Sequence, residues 1–446
     1  MRIRIDKGLD IPIPGSPEQV IFTGRSVKSV ALLGTDYSGL NPRLLIEPGQ
    51  SINQGEALFV DKHDARVQYT APGTGRVVAV NRGHRRVLQS VIIELDEAAE
   101  SKKIFNSLQL QDRSAIRDLL LQSGSWTAFR TRPFDRVPLS DTSPSAIFVT
   151  AIDTRPLAVD PEVIVAKRSE EFIRGIELVA ALTDGTTFLC TGPDWSGPEP
   201  ETKGIQKVEF IGPHPAGLPS THIHYLQPVS AQRTVWHINY QDVIAIGYLA
   251  LTGRLLNERL ISIAGPGLLK PRLIRTRLGA SISDLLEGEL VTTQNCQPLS
   301  GSVLDGFAAV ESSAFLGRYH NQVSVLFDSA QSYRLSERAV GSKKLSITEL
   351  LGAAWKRQSS HEITNGCSGR RVAMVPVEAF ERVMPLDILP APLLRALLIK
   401  DTDAAQALGC LELAEDDLAL CSFVCPAKQD YAAALRANLD QIEMEG

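Results

Sequence analysis

Hydrophobic positions in the first hundred residues fall into short Val/Ile-rich runs separated by Gly/Pro turns: Val30–Leu33, Arg43–Ile46, Ala57–Val60, Gln68–Thr70, Arg76–Val80 and Val87–Leu95. Runs of this length bounded by turn residues predict β-strands. The period then changes. Residues 112–122 (DRSAIRDLLLQ) carry apolar side chains at i, i+3 and i+4 spacing, which predicts a helix. Ser143–Asp153 is mostly apolar and β-branched, the mark of a strand covered on both faces. Pro161–Gly185 reads as one long amphipathic helix, with Pro near its start and Gly at its end. Further strands are expected at Thr186–Gly192 and Lys207–Gly217. Strand, helix and strand at this spacing make a βαβ unit, so an α/β, Rossmann-like fold is expected here. After Gly265-Pro266-Gly267 the texture changes again: Pro271–Leu290 reads as strand, turn and short helix, and Gln322–Asp328 as a closing strand. That suits a small β-grasp unit. Residues 345–446 are helical in pattern, with Pro-rich breaks at Met384–Pro392 and Cys425-Pro426.

Two stretches refine the N-terminal part. Glu47–Asp61 and Tyr69–Gly83 place turn glycines Gly49 and Gly55 ahead of an Ala-Pro-x-x-Gly step and a strand. This is the pattern of a barrel-sandwich domain, and the half resembles biotinyl and lipoyl carrier domains. A carrier presents its lysine on a hairpin. Lys62 lies near such a turn, but within Asp-Lys-His-Asp rather than between apolar residues, so a solvated loop lysine is expected. The expected architecture is α/β multidomain: a barrel-sandwich (biotinyl/lipoyl-like) β domain over 1–100, a Rossmann-like α/β domain without a nucleotide loop over 101–256, an SLBB-like β-grasp domain over 257–332 and a helical domain over 333–446. The charged stretch Asp96–Lys103 reads as a linker.

Composition narrows the class. A chain of 446 residues has room for roughly three or four domains. Hydrophobic content of 43% and charged content of 22% support ordinary globular cores. A net charge of −5 with scattered Lys and Arg speaks against nucleic acid, which selects a basic stripe. Six cysteines at no regular spacing form no disulfide framework and fit a reducing compartment. MRIRIDKGLDIPIPG has no apolar signal core. The longest apolar candidate, Val243–Leu256, is interrupted by Gly247, Gly253 and Arg254 and falls short of the ~18 residues of a membrane span. A soluble protein, free or peripheral on a membrane complex, is expected.

Three constellations invite chemistry. His222-Ile223-His224 places two imidazoles on one face of an expected strand, a pair that zinc accepts, but no third and fourth ligand stand out beyond His214, His237 and Cys190, so satisfied, partly buried histidines and no metal are expected. Cys421 and Cys425-Pro426 have the Cys-x₃-Cys-Pro spacing that closes a ferredoxin-type motif. The two preceding ligand positions hold Leu418 and Glu415, and Cys410 and Cys367 sit at no matching offset, so a degenerate cluster motif is expected. In Leu119–Pro138 (LLLQSGSWTAFRTRPFDRVP), Trp126 and Phe129 stand where a phosphate-cradling turn would need bare glycine, and Arg130, Arg132 and Arg136 follow.

Long motifs carry a family resemblance across nearly the whole chain: KGLDIPIPGSPEQ (Lys7–Gln19), VALLGTDYSGLNP (Val30–Pro42), TAPGTGRVVAVNRG (Thr70–Gly83), WTAFRTRPFDRVP (Trp126–Pro138), GPHPAGLPSTHIHYLQPV (Gly212–Val229), VWHINYQDVIAIG (Val235–Gly247), SGSVLDG (Ser300–Gly306) and EDDLALCSFVCPAK (Glu415–Lys428). On these residues the chain resembles the A subunit of the sodium-translocating NADH:quinone reductase of bacterial respiratory membranes. That family is similar to the flavin subunit of respiratory complex I and to the C subunit of the Rnf complex, which carry Gly-Gly-Ala-Gly-Phe-Pro-Thr at their flavin and nicotinamide site. Here only Phe129 and Thr131 match; Ser125, Trp126 and Ala128 replace glycines and Arg130 replaces the proline. His214-Pro215-Ala216-Gly217 keeps Pro215 and Gly217 of a second motif, Tyr-Pro-x-Gly-Gly-Glu, but Leu218-Pro219 follow and its Glu is gone.

The resemblance implies a peripheral subunit on the cytoplasmic face of the bacterial inner membrane. It implies partners, the membrane and flavin-bearing subunits of a six-subunit complex that oxidises NADH, reduces ubiquinone and exports Na⁺. It also implies no catalysis by the isolated chain, no flavin or iron–sulfur cluster within it, and non-covalent ubiquinone as the ligand. A quinone is flat and apolar with carbonyls that need donors. Trp126, Phe129 and Phe134 offer stacking area, Arg130, Arg132 and Tyr37 offer donors, and Leu33 and Gly34 join them through the turn-rich LLGTDY stretch. Plain domain packing is the alternative for the same residues.

Overall fold

The computed structural model describes residues 1–96, 103–106, 112–292, 295–327 and 373–445. Cys367, the expected helical pattern over 345–372 and most of the expected linker lie outside them.

The α/β unit is built on a six-stranded sheet in the order Arg2–Arg4, Ile205–Ile211, Thr186–Thr191, Ala146–Ala151, Val235–Asn239, Arg130–Arg132. The first five run parallel and the last is antiparallel to its neighbour. Ala146–Ala151 is buried at every position, as its sequence, apolar but for Thr150, suits in a central parallel strand. From that strand the chain steps outward to Thr186–Thr191 and Ile205–Ile211, then returns to place Val235–Asn239 on the opposite flank. The strand order therefore reverses beside Ala146–Ala151. In open α/β sheets such a reversal opens a crevice beyond the carboxyl ends of the strands.

The expected long helix is two. Pro161–Val165 continues as a 3₁₀ turn, Ala166–Arg168, before Ser169–Ala180 begins. Arg168 leaves helical geometry (φ −137°, ψ 39°), and its guanidinium bonds Glu171 at 3.0 Å and Glu258 at 3.1 Å. Periodicity misses this break because Ile164, Phe172 and Ile176 keep helical spacing and all are buried.

The barrel-sandwich pairs a four-stranded sheet (Ser29–Leu33, Leu88–Leu95, Gly75–Arg82, Ser51–Ile52) with a three-stranded one (Pro42–Leu44, Ala57–Asp61, Gln68–Thr70). Val30, Leu58, Phe59, Val77, Val91 and Ile93 are buried in its core. The residues before it are used elsewhere. Arg2–Arg4 joins the α/β sheet, and Glu18–Thr23 lies parallel to Arg272–Arg277 at the edge of the β-grasp sheet. That sheet also holds Glu258–Ala264, Gln322–Phe327, Cys296–Ser300 and Phe307–Ala308. In the C-terminal unit, helices Ala379–Val383, Pro390–Ile399, Ala419–Val424 and Tyr431–Glu445 bury Phe380, Leu393, Leu397, Leu435 and Leu439 together.

Helices Ser169–Ala180 and Tyr240–Thr252 meet backbone to backbone. A Cβ on Gly175 would stand 2.0 Å from the Val243 carbonyl oxygen, and one on Gly247 1.8 Å from that of Glu171. Gly247, an interruption in the apolar run, is thus the residue that permits close approach. Gly247→Ala is expected to cost about 1–3 kcal/mol by overpacking. A urea midpoint equal to wild type would show that the helices separate freely.

Candidate functional site

A cleft of about 830 Å³ opens where the sheet order reverses, at the carboxyl ends of Ala146–Ala151 and Val235–Asn239. Asp153, Arg155 and Asn239 line its floor. Its other walls come from the remaining units: Asp36 and Ser38 from the barrel-sandwich, Val303, Leu304, Asp305, Phe307, Tyr319 and His320 from the β-grasp unit, and Asp416 and Phe423 from the helical unit.

Arg155 joins three of these walls. Its Nε bonds Asp305 at 2.5 Å, one terminal nitrogen bonds Asp416 at 2.8 Å, and the other lies 3.5 Å from Asp153. Burial works against the Arg155 charge, but Asp305, Asp153 and Asp416 outweigh it and raise its pKa. A second knot lies at Asp135. After the strand Arg130–Arg132 the chain turns through two left-handed residues, Phe134 (φ 76°) and Asp135 (φ 54°), which is strained for non-glycine residues. The turn brings the Asp135 carboxylate back to Arg130 at 2.8 Å and onto Arg132. Burial pushes the Asp135 carboxyl up, yet Arg130 and Arg132 hold it well below the usual carboxylate range. Arg130 then lies over the Tyr319 ring, 4.4 Å from its centroid. Tyr319 donates to the Thr127 carbonyl at 2.9 Å. Asp36, at the end of the 3₁₀ turn Gly34–Asp36, accepts the Arg318 amide at 2.7 Å, and burial pushes its carboxyl up to about 7.

The expected site residues divide among these places. Arg130 borders the cleft. Leu33 and Tyr37 border a smaller adjoining pocket of about 70 Å³, which shares Asp36 with the cleft. Tyr37 packs edge-on against Tyr69 and Tyr319. Gly34 is buried against Leu88, whose carbonyl oxygen lies 2.4 Å from where a Cβ would stand. Trp126 and Phe129 form no open aromatic wall, because both are fully buried against Trp236. Trp126 Nε1 donates to the Pro138 carbonyl at 2.8 Å, so its polar atom is satisfied inside. Arg132 is also fully buried, bonded to Asp135 and, at 3.2 Å, to Ser220. Phe134 packs on the helical unit's core, and its carbonyl accepts Arg436 at 2.9 Å.

The histidine pair requires correction. His222 and His224 lie on a helix, Pro219–Leu226, and not on a strand. Pro219 opens that helix, where a missing N–H is harmless. Two residues apart on a helix do not share a face, and the rings diverge. His222 bonds the Ala216 carbonyl at 3.0 Å in the interior, while His224 bonds Glu412 at 2.8 Å and accepts the Asp387 amide at 2.9 Å. Among the described residues no group of three or more His, Cys, Asp or Glu is placed to hold a metal ion. Cys421 and Cys425 are buried in the helical core; Cys425 Sγ meets the Tyr431 hydroxyl at 3.3 Å, and burial pushes Cys421 up to about 12. Leu418 is fully buried and Glu415 bonds Arg436 at 2.6 and 2.9 Å. Lys62 is exposed in the turn between Ala57–Asp61 and Gln68–Thr70.

Arg155, Asp305, Asp416, Asp36, Tyr319 and His320 were missed by sequence reasoning. One signal was present: Asp153-Thr154-Arg155 comes one residue after the strand Ala146–Ala151, the place where an open α/β sheet puts its ligand contacts.

Fold and cleft together define a four-part α/β protein with a charged interdomain cleft at its switch point. No helix among the described residues is long and apolar enough to cross a membrane. Three family models match: the NqrA N-terminal barrel-sandwich hybrid domain over residues 3–96, the NqrA second alpha/beta domain over 111–255 and the NQRA C-terminal domain over 260–310. Over its full length the chain is 49% identical to the A subunit of the Na(+)-translocating NADH-quinone reductase of Glaesserella parasuis serovar 5, covering all of both chains. Identity is 50% to the same subunit of Pseudomonas aeruginosa and 47% to that of Saccharophagus degradans, again with complete coverage of both chains. The chain belongs to this family, the A subunits of the Na(+)-translocating NADH-quinone reductase.

Two outcomes are expected from this geometry. Arg155→Met strands three mostly buried carboxylates and should cost about 3–5 kcal/mol, read as a lowered denaturant midpoint. His222 is held neutral by burial, its pKa lowered to about 3 from 6.5. Between these values the unfolded chain binds a proton that the folded chain does not, so this residue's contribution falls as pH drops from 6.5 towards 3. His222→Gln should therefore flatten the loss of stability with acidification over that window. A slope identical to wild type would contradict the buried neutral imidazole.

Proposed function

We propose that the chain is the peripheral subunit on the cytoplasmic face of a complex that oxidises NADH, reduces ubiquinone to ubiquinol and exports Na⁺, and that its cleft receives a quinone head group. The observation that carries this reading is the composition of the cleft. Val303, Leu304, Phe307 and Phe423 give it apolar surface, and Arg130, Tyr319 and His320 face the same space. A volume of about 830 Å³ is in the range of small-molecule sites and suits a flat, mostly apolar ring with polar edges. Arg130 borders the ligand, Leu33 and Tyr37 line the adjoining pocket, and Trp126, Phe129, Arg132 and Phe134 support the site from behind. The partners are the membrane and flavin-bearing subunits of the same six-subunit assembly, through which the chain meets the membrane. Flavin, nicotinamide and iron–sulfur chemistry belong to those partners. In this chain the turn that would cradle a phosphate is Ser125–Ala128, where the Trp126 side chain is packed into the core.

Titration of the full chain with a short-chain ubiquinone should show saturable binding, and a photoreactive quinone should label segments 301–307 and 416–423. Arg130→Ala should weaken binding at least about tenfold, the scale of a hydrogen bond from a charged donor. Absence of saturable binding would favour an assembly scaffold. A flavin absorption spectrum in the purified chain would instead favour an independent flavin- or NADH-dependent oxidoreductase.

A further inference from the structure

His320 lies at the cleft wall, two residues before the strand Gln322–Phe327. The amide of Gly317 donates to Ser300 Oγ at 2.8 Å, and the same oxygen lies 2.9 Å from His320 Nδ1. Ser300 is fully buried. A serine hydroxyl has one hydrogen to place. If Nδ1 carried the ring proton, it and the Gly317 amide would both point at Oγ, and the hydroxyl hydrogen would be left in the interior without an acceptor. Buried polar groups are seldom left so. The arrangement that satisfies every group has Ser300 donating to Nδ1, which places the ring hydrogen on Nε2.

The ring is held in place as well as in tautomer. It packs against Phe307 with centroids 5.3 Å apart. Glycines flank it on both sides: a Cβ on Gly317 would stand 2.6 Å from Nδ1, and one on Gly301 2.9 Å from Nε2. Any side chain at either position would displace the imidazole. Nε2 has no hydrogen-bond partner among the described residues, so a fixed N–H donor is left unused at the cleft. Burial lowers the His320 pKa to about 4, so the ring is neutral near neutral pH.

We propose that His320 donates its Nε2–H hydrogen bond to a carbonyl oxygen of the quinone head group bound in the cleft. This rests on the reading of the cleft as a quinone site and names the residue that orients the ring there. Ser300 acts through His320 as a positioning residue.

The test uses the full chain with a short-chain ubiquinone labelled with ¹³C at its carbonyls. Long-range ¹H–¹⁵N correlation on ¹⁵N-histidine protein, with His320→Gln to assign the signal, should find the proton on Nε2; a proton on Nδ1 overturns the proposal whatever the ligand does. Binding to wild type should lower one carbonyl stretching frequency in the infrared. His320→Leu should abolish that shift and weaken binding about fivefold to tenfold, the scale of one neutral hydrogen bond. His320→Gln, which keeps an N–H donor, should retain most of the affinity and part of the shift. Ser300→Ala should leave both tautomers populated and reduce the shift. If photolabelling maps the quinone to the cleft in wild type while His320→Leu leaves affinity and carbonyl frequency unchanged, the proposal falls and the site stands. If wild type takes up no quinone in the cleft, both fall.

Discussion

The guanidinium of Arg155 is the point on which the cleft depends. It stands just past the central strand of the α/β sheet and bonds a carboxylate from the β-grasp unit and another from the helical unit. Ion pairs withdrawn from water gain little net stability, because desolvation offsets attraction. Their geometry is demanding, however, and an unpaired member is costly. Such a contact therefore fixes how three units stand relative to one another more than it strengthens any of them. Asp135 does the same at shorter range, turning the chain after Arg130–Arg132 so that Arg130 faces the cleft while Arg132 stays inside.

The place of the crevice is set by the sheet and its lining by the loops around it. The switch point is a consequence of strand order, and strand order survives wholesale replacement of loop side chains. At Ser125–Ala128 the Trp126 side chain is packed into the core against Trp236 and Phe129. The crevice is also walled by the β-grasp and helical units. The chemistry offered there comes from the loops Gly301–Phe307 and Tyr319–His320 and from the acidic turn Glu415–Leu418.

Much of this was legible from periodicity. The short strands of the barrel-sandwich, the βαβ unit and the change of texture after Gly267 follow directly from apolar spacing. The misses have separate causes. Arg2–Arg4 and Glu18–Thr23 are edge strands with mostly exposed side chains, so neither shows the apolar–polar alternation of a half-buried strand, although Val20-Ile21-Phe22 are apolar. His222-Ile223-His224 resembles a strand because the helix around it is only eight residues long. Trp126 and Phe129 have the chemistry of a stacking platform, but composition does not say which way a side chain faces, and the sheet's own Trp236 claims both. The Arg155 contacts span 150 and 261 residues, and the His320 contact joins a loop to the strand residue Ser300 20 positions earlier, separations that a helix or strand period does not register.

The threading of the N-terminal segment bears on how the molecule comes into being. Arg2 pairs with Glu209, a partner 207 residues further along the chain. At ordinary translation rates of about 5–20 residues per second, that partner leaves the ribosome roughly ten to forty seconds later. Until then the start of the chain must wait, unpaired, while the barrel-sandwich it precedes can already close. Glu18–Thr23 waits longer still, for Arg272–Arg277. Residues 2–4 and 18–23 thus complete the edges of two sheets whose neighbouring strands lie far along the chain. Paired there, the two strands tie both units to the barrel-sandwich, because neither unit can swing away from it without first giving up an edge.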